Sequence, residues 1–490
     1  MGCEKAARLE LETTPGLQST INSGTPRAFK YIPEELIHRI QSHLPVKEAA
    51  RTTVLSKSWQ QASSTNPNLR FPIVRGEKGT ELVEHTLKRY LHEKISIEKV
   101  NLEIDFMHQK YSPAEKLIGL IATITCLQEF SLTVSSSNVY NFTLPDELLL
   151  CEKLTKIIVR GVGRSEYDCL KMMTSLHPLI KCVSLRELDL YCVQISEQAL
   201  NHILSSCTFL VKIHLSDILW CKEFKNIKVT NLPHLYELHV GFYSWYSYSD
   251  LEISDVPNLR VFRYEINSDG TDTLPFNVKA DSMSLRNVRE FELRGVVRDS
   301  ACLDMITSGF PFLENLTLSL DAWKFESFHF TCASIKRISL DLGSYKYKKI
   351  SDVQICAPKL LSFSFSGYDH PDLLFPVSSL TQIELSFRLR HPFDVSFFVK
   401  LREALTLSPK CNICITTYKM PWDIDIDDLR RRLLLPPATN VQQLDFQMYD
   451  DKCLQQRSPF FEAFFEICHP KHVFAQQDCK YWLLNGRINK

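Results

Sequence analysis

The spacing of apolar residues changes character twice along the chain. Residues 1–28 are rich in Thr, Ser, Gly and Pro and carry no apolar period, which predicts a disordered leader. From Tyr31 the pattern turns helical. Ile32-Pro33 stands where a helix tolerates proline, and Glu34 and Glu35 fall in the first turn, where the helix dipole favours acids. Leu36, Ile37, Ile40 and Leu44 follow at helical spacing, predicting one apolar stripe. Pro45 ends that helix. Lys47–Thr53 predicts a second, with Ala49, Ala50 and Val54 on one face, and Leu55-Ser56-Lys57-Ser58-Trp59 closes a small all-α module expected over 29–75. So small a unit buries little surface alone, so its stripe is either its own core or a docking face for another helical protein.

Beyond residue 95 the period lengthens. The pattern Leu-x-x-Leu-x-Leu, with apolar substitutions, starts at Leu185, Leu210, Leu235, Leu259, Val288, Leu313, Ile335, Leu360 and Leu380, at spacings of 25, 25, 24, 29, 25, 22, 25 and 20. Looser copies start at Ile97, Leu127 and Leu154. A repeat of about 25 residues is the signature of leucine-rich repeats. Each copy holds one short strand with alternating apolar and polar positions, and such a strand cannot bury its face alone. Stacked copies can, as one parallel sheet over a continuous core. On the return path, Ser196 is placed to cap a helix carrying Leu200, Ile203 and Leu204. The phrase Leu200…Ile203…Ser205…Phe209-Leu210 recurs 103 residues later as Leu303…Ile306…Ser308…Phe312-Leu313. The expected fold is α/β: the small all-α module, then a leucine-rich-repeat solenoid over 95–390 with a parallel sheet on its concave face, then a C-terminal cap over 391–490.

The helical segment also carries a resemblance. Ile32-Pro33-Glu34-Glu35-Leu36, Ile40, His43-Leu44-Pro45-Val46, Val54-Leu55-Ser56-Lys57 and Trp59 match the F-box in order and spacing. That motif runs Leu-Pro, an acid and Leu, Ile-Leu, Leu-Pro, then Val-Ser-Lys-x-Trp; Ile32 replaces its Leu, and Leu55 is inserted before Ser-Lys. The resemblance implies docking of a Skp-type adaptor, and through it a cullin, by Ile32, Pro33, Leu36, Ile40, Leu44, Pro45, Val54 and Trp59. Leu232-Pro233-His234-Leu235, Val256-Pro257-Asn258-Leu259 and Ala357-Pro358-Lys359-Leu360, with Phe224-Lys225-Asn226-Ile227-Lys228-Val229, resemble plant F-box repeat proteins, which often end in an FBD tail. Cys468-His469-Pro470-Lys471 resembles the end of such a tail. The implied function is the substrate-recognition subunit of a Skp–cullin–F-box ubiquitin ligase, without catalysis of its own. The alternatives are a small-molecule co-receptor and a ligase-independent binding module.

Side chains flanking the central apolar residue of each strand point away from the core. From repeat 185 to 294 they are charged and mixed in sign: Glu187, Asp189, Lys212, His214, Glu237, His239, Arg263, Glu290, Glu292 and Arg294. Ser362, Ser364 and Ser366 are small and neutral. An unknown protein substrate is therefore expected nearer the first group, with mixed charge serving only solubility as the competing reading. Trp245, in the run Phe242, Tyr243, Trp245, Tyr246, Tyr248, either anchors a partner or packs under the next repeat.

Charge adds an exclusion. Lys+Arg and Asp+Glu both number 57, so no bulk field draws the chain to nucleic acid or an anionic membrane, and neither partner is expected. No apolar run reaches membrane-spanning length, and residues 1–28 have no apolar signal core. Met1-Gly2-Cys3 hints at acylation, but Ala6 stands where myristoylation needs Ser or Thr. The 16 cysteines, scattered in apolar company, suit a reducing compartment, and the nucleus or cytoplasm is expected. Cys411 and Cys414 read as a buried strand, and no phosphate-loop, nucleophile-elbow or zinc-protease motif occurs. Asp423, Asp425 and Asp427 begin like a calcium loop, but Asp428 replaces its Gly and Leu434 its Glu, so they are read as opening a helix. No catalytic residue, metal or cofactor is expected, and Arg430-Arg431-Arg432 is read as a solvated helix face.

Overall fold

The structure, a computed structural model, describes residues 32–105, 114–136, 141–143, 146–163, 170–173, 180–218, 226–243, 250–267, 278–281, 283–297, 301–323, 325–343, 350–389, 394–417, 424–448 and 459–475. The chain divides into two units, Met1–Asn66 and Pro67–Lys490.

The first unit holds α1 (Glu34–Ser42), α2 (Val46–Arg51), a 3-10 turn (Thr52–Val54) and α3 (Lys57–Ser64). Pro33 and Pro45 sit just outside α1 and α2, with extended ψ of 148° and 149°. The segment read as closing the unit instead opens a third helix. Ser56 caps it, its Oγ accepting from the Trp59 N–H at 3.4 Å. Ile37, Trp59 and Ala62 form the core, with Ile32 against it. Gln41 is fully buried, and its amide donates to Thr52 Oγ1 at 2.8 Å and to the Trp59 carbonyl at 3.2 Å. These bonds tie α1 to the 3-10 turn and to α3.

The second unit is built on one sixteen-stranded sheet whose paired neighbours are parallel, from Asn68–Arg75 to His472–Ala475. The apolar positions of the repeat stack in register: Leu188, Ile213, Leu238, Phe262, Phe291 and Leu316 are successive partners. Each is at most 2% exposed. Rings thicken the row, with Phe291 stacked 4.8 Å from Phe310 and tilted 5.4 Å from Phe262. Burial of each aliphatic here contributes about 1.5–3 kcal/mol.

Parallel strands require a return path in every repeat. The helix expected after Ser196 is Glu197–Ser206; Ser196 Oγ accepts from Ala199 N–H at 3.2 Å, and Leu200, Ile203 and Leu204 are buried. Its later counterpart is Ala301–Gly309, with Leu303 and Ile306 buried. Several other repeats return through a second short strand. Asn226–Thr230, Asp250–Ser254 and Val278–Ala280 form one three-stranded sheet, and Ser327–Thr331, Asp352–Ala357 and Asp372–Ser378 another. Ile227 and Val229, then Leu251 and Ile253, alternate inward, a period of two too short to stand out beside the main strands.

The turn entering each strand repeats too. The N–H groups of Leu185, Leu210, Leu235, Leu259, Val288 and Leu313 each donate to the carbonyl three residues back, at 3.1–3.3 Å. The following residue donates to its counterpart one repeat earlier: Val211 to Arg186, Tyr236 to Val211, Arg260 to Tyr236, Arg289 to Arg260 and Glu314 to Arg289, at 2.8–2.9 Å.

The sheet extends past 95–390 at both ends. Its first strand points Leu69, Phe71 and Val74 inward, but the register shifts between Phe71 and Val74 around Ile73 (φ 49°), so the alternation is broken there. At the other end Cys411–Thr417, Val441–Met448 and His472–Ala475 continue the stack. Helices Val395–Ala404 and Pro459–Ile467 pack there, with the Phe398 ring 5.1 Å from Phe464 and Phe446 6.2 Å from Phe460. No helix among the described residues is long and apolar enough to cross a membrane.

Candidate functional site

In the helical module the expected stripe divides. Ile37 and Gln41 face inward, whereas Leu36 and Ile40, one turn apart, stay 49% and 44% exposed. Val54 is 87% and Leu55 50% exposed. Pro33 is exposed, and Ile32, Leu44 and Pro45 are half-buried. Trp59, grouped above with the docking residues, is 4% exposed and belongs to the interior with Ile37 and Ala62. A tryptophan is the largest apolar side chain available to a unit this small, so its own core claims it. Leu55, which sequence reasoning treated only as an insertion, belongs with the exposed group. Its apolar character was the signal, but only the turn geometry shows that it points outward.

On the repeat sheet the polar columns are brought together as expected, but their charges pair with one another. Lys99–Glu129 (2.6 Å), Lys156–Glu187 (2.5 Å) and Lys212–Glu237 (3.6 Å) bridge adjacent strands. Arg263 bonds Glu237 on one side and reaches Glu292 at 3.2 Å on the other. Arg294 lies 2.5 Å from Glu292, and Glu290 accepts from Asn315 at 3.1 Å. Asp189 takes a bond from Arg160 and faces His214 at 3.4 Å. Burial pushes the Asp189 carboxyl up, but His214 and Arg160 outweigh it and hold it below the usual carboxylate range. Glu237 is likewise raised by burial and lowered further by Arg263 and Lys212. The His214 and His239 rings stack at 4.3 Å, and His239 Nε2 lies 3.7 Å from Glu265.

Trp245 lies outside the described residues, as do Tyr246 and Tyr248. Phe242, from the same run, is 5% exposed and packs 5.5 Å from the Tyr264 ring. Cys411 is buried and Cys414, an odd number of residues along one strand, faces the other side. Arg430 pairs with Glu466 at 2.7 Å, and Arg431 and Arg432 with Asp428 at 3.5 and 2.8 Å. Asp425 caps that helix, Ile426–Arg432, by accepting from Asp428 N–H at 2.8 Å. Among the described residues no three His, Cys, Asp or Glu side chains group to hold a metal ion.

Comparison with known proteins places this architecture. Residues 120–276 match the family model of the leucine-rich repeats of FBD-associated F-box protein At5g56370. The repeats are thus similar to those of plant F-box/leucine-rich-repeat proteins. FBD-associated F-box protein At3g52670 of Arabidopsis thaliana is 30% identical over 246 residues, covering 48% of this chain and 51% of that relative. F-box/LRR-repeat protein At5g02910 is 24% identical over 221 residues, 44% of this chain and 43% of its own length. Putative F-box/LRR-repeat protein At3g59230 is 24% identical over 309 residues, 60% of each. The first relatives are thus matched over about half their length. Beside this similarity stand the two surfaces just described, an uncovered apolar patch and a self-paired polar sheet.

Proposed function

We propose that the chain is the substrate-recognition subunit of a Skp–cullin–F-box ubiquitin ligase, working in the nucleus or cytoplasm. The helical module is the F-box and docks a Skp-type adaptor, the adaptor joins it to a cullin, and the repeats hold a target protein for ubiquitination. The chain supplies no catalytic group. One observation carries the reading: four aliphatic side chains, Leu36, Ile40, Val54 and Leu55, stay uncovered on a module that already has a closed core of Ile37, Trp59 and Ala62. Apolar area left in water next to a finished core is what a helical partner would cover, at about 25 cal/mol per Å².

The test is co-purification of the full chain with a Skp-type adaptor and a cullin. Capture of both supports the reading. Capture of the adaptor without the cullin favours a ligase-independent module, and capture of neither removes the F-box assignment.

A further inference from the structure

The sheet face pairs its charges internally, but the arginines on the line of turns where the strands begin, from Arg186 to Arg289, are not bonded to carboxylates among the described residues. Arg186, Val211, Tyr236, Arg260 and Arg289 occupy successive rungs of the backbone ladder there. Arg286 lies three residues before Arg289, in the same turn. The Arg260 guanidinium donates to the Asn287 carbonyl at 3.0 Å and that of Arg289 to the Phe312 carbonyl at 2.8 Å. Among the described residues, no carboxylate oxygen lies within 4.0 Å of Arg186, Arg260, Arg286 or Arg289. The next rung, Glu314, is held by Lys336 at 2.7 Å; that bond, with the more distant charges of Arg289 and Arg337, keeps its carboxyl below the usual range.

Exposed aromatics flank these cations. Phe209 is 50%, Tyr236 48% and Phe312 39% exposed. The His234 ring lies parallel to Phe209 at 5.4 Å, and Arg286 and Arg289 cover Phe312 at 5.7 and 4.9 Å.

We propose that this line of turns, from Arg186 to Phe312, is where the repeats take their target, and that the target offers an extended acidic segment with apolar side chains. The proposal rests on the ligase reading above for the word target, but its chemistry is independent of it. Guanidiniums held by carbonyls or rings, as those of Arg260, Arg286 and Arg289 are, still present a planar fork that a carboxylate matches with two bonds. Half-exposed Phe and Tyr supply the apolar area that anchors an interface. Rungs about 4.8 Å apart put Arg289 roughly 19 Å from Arg186, a span that an extended peptide crosses in about six residues at ~3.3 Å each. Single-stranded nucleic acid would also meet cations and rings, but it needs open ring faces for its bases. The Phe209 ring already stacks on His234 and the Phe312 ring on two guanidiniums, which favours the peptide.

The experiment measures fluorescence polarisation of the full chain, co-expressed with its adaptor, against three probes. One is a pool of eight-residue peptides alternating Asp or Glu with Leu or Phe; the second replaces the acids by Lys; the third is a single-stranded RNA octamer. Preferential binding of the acidic pool, weakening with salt, is expected. Arg186→Glu with Arg286→Glu should weaken it by about tenfold or more, while Lys99→Gln with Glu129→Gln on the sheet face leaves it unchanged. Should the double arginine variant melt early, Arg186→Gln alone, whose side chain lies outside the Phe312 stack, should still weaken binding severalfold. Equal binding of acidic and basic pools, RNA binding instead of peptide, or unchanged affinity in both arginine variants would overturn the proposal. Adaptor co-purification is read on the same samples. Peptide binding without adaptor sinks only the ligase reading; adaptor without acidic-peptide binding sinks only this one.

Discussion

The helical module and the repeat sheet treat apolar side chains in opposite ways. Along the sheet Leu188, Ile213 and Leu316 are 2%, 1% and 1% exposed, because each strand is covered by the repeats on either side. In the module Leu36 and Val54 remain 49% and 87% exposed although they stand in the same kind of apolar pattern. A repeat supplies its neighbour with a hydrophobic wall, whereas three short helices close only a small core of their own. Apolar periodicity in a stacked unit therefore reports core, and in a small isolated unit it reports core and interface together. Substitutions separate the two meanings.

The largest effect belongs to the sheet. Leu316→Asp or Leu188→Asp places a charge among inward side chains with neighbours on both sides, and should cost about 3–5 kcal/mol or more. The melting temperature of the full chain should fall by several degrees while adaptor capture persists. The same change at Leu36 or Ile40 should do the reverse. Melting should stay within a degree or two of wild type, and adaptor capture should drop by about ten- to a hundredfold, from ~1.5–3 kcal/mol of lost burial per aliphatic. Equal melting losses in Leu36→Asp and Leu316→Asp would erase the distinction between the two regions.

How much of this was legible in the sequence follows from the same contrast. The repeat was visible because its inward rows recur at 20–29 residues whatever fills the return path. The strand at Asn68–Arg75 was not, since the Ile73 bulge breaks its alternation; Cys411-Asn412-Ile413-Cys414-Ile415 was read as a strand but, lacking the Leu-x-x-Leu lead-in, not as a further rung of the sheet. The return strands were hidden because five residues such as Asn226–Thr230 hold only two inward side chains. In the module, periodicity found α1 but could not choose between the adjacent Ile37 and Leu36 edges of its stripe, nor send Trp59 inward. The charged columns were correctly aligned, yet their pairing is a property of register between strands some 25 residues apart, which no local window contains.

A buried histidine gives a smaller effect with a pH signature. His370 is 5% exposed, stacked 5.3 Å from Phe387, with Nδ1 donating to the Pro371 carbonyl at 2.7 Å. Burial, with the Lys400 charge against it, pushes the imidazole down to about 4, well under the ordinary 6.5. A folded pKa below the unfolded one means the unfolded chain binds the proton first. The stability His370 protects is therefore full above about pH 6.5 and is lost as pH falls toward 4. At pH 5 the loss is about 2 kcal/mol. His370→Phe should flatten the fall in melting temperature between pH 7 and pH 5 relative to wild type. Parallel pH curves for the two proteins would show that His370 does not titrate as a buried group.

The smallest effect is the one that most sharply tests how the sheet's polar face works. Lys156 and Glu187 pair at 2.5 Å with side chains 33% and 37% exposed. Solvent screens such a pair, so it should contribute no more than about 1 kcal/mol. Glu187→Lys puts like charges opposite each other on neighbouring strands and should lower stability by roughly that amount. Adding Lys156→Glu restores an opposite pair with its sign reversed, and should recover most of the loss in denaturant unfolding. Lys212, on the next rung, then faces a second cation across the strands, and it already pairs with Glu237 at 3.6 Å. Glu129, on the rung before, then faces a second carboxylate at position 156. Recovery should therefore be incomplete, and part of the deficit should close when Lys99→Glu and Glu129→Lys extend the inversion to the end of the row, where Asn68 carries no charge. Recovery that ignores those further rungs would mean the pairs act singly. Recovery that tracks them would make the charge alternation one cooperative row, bonded to itself across the strands.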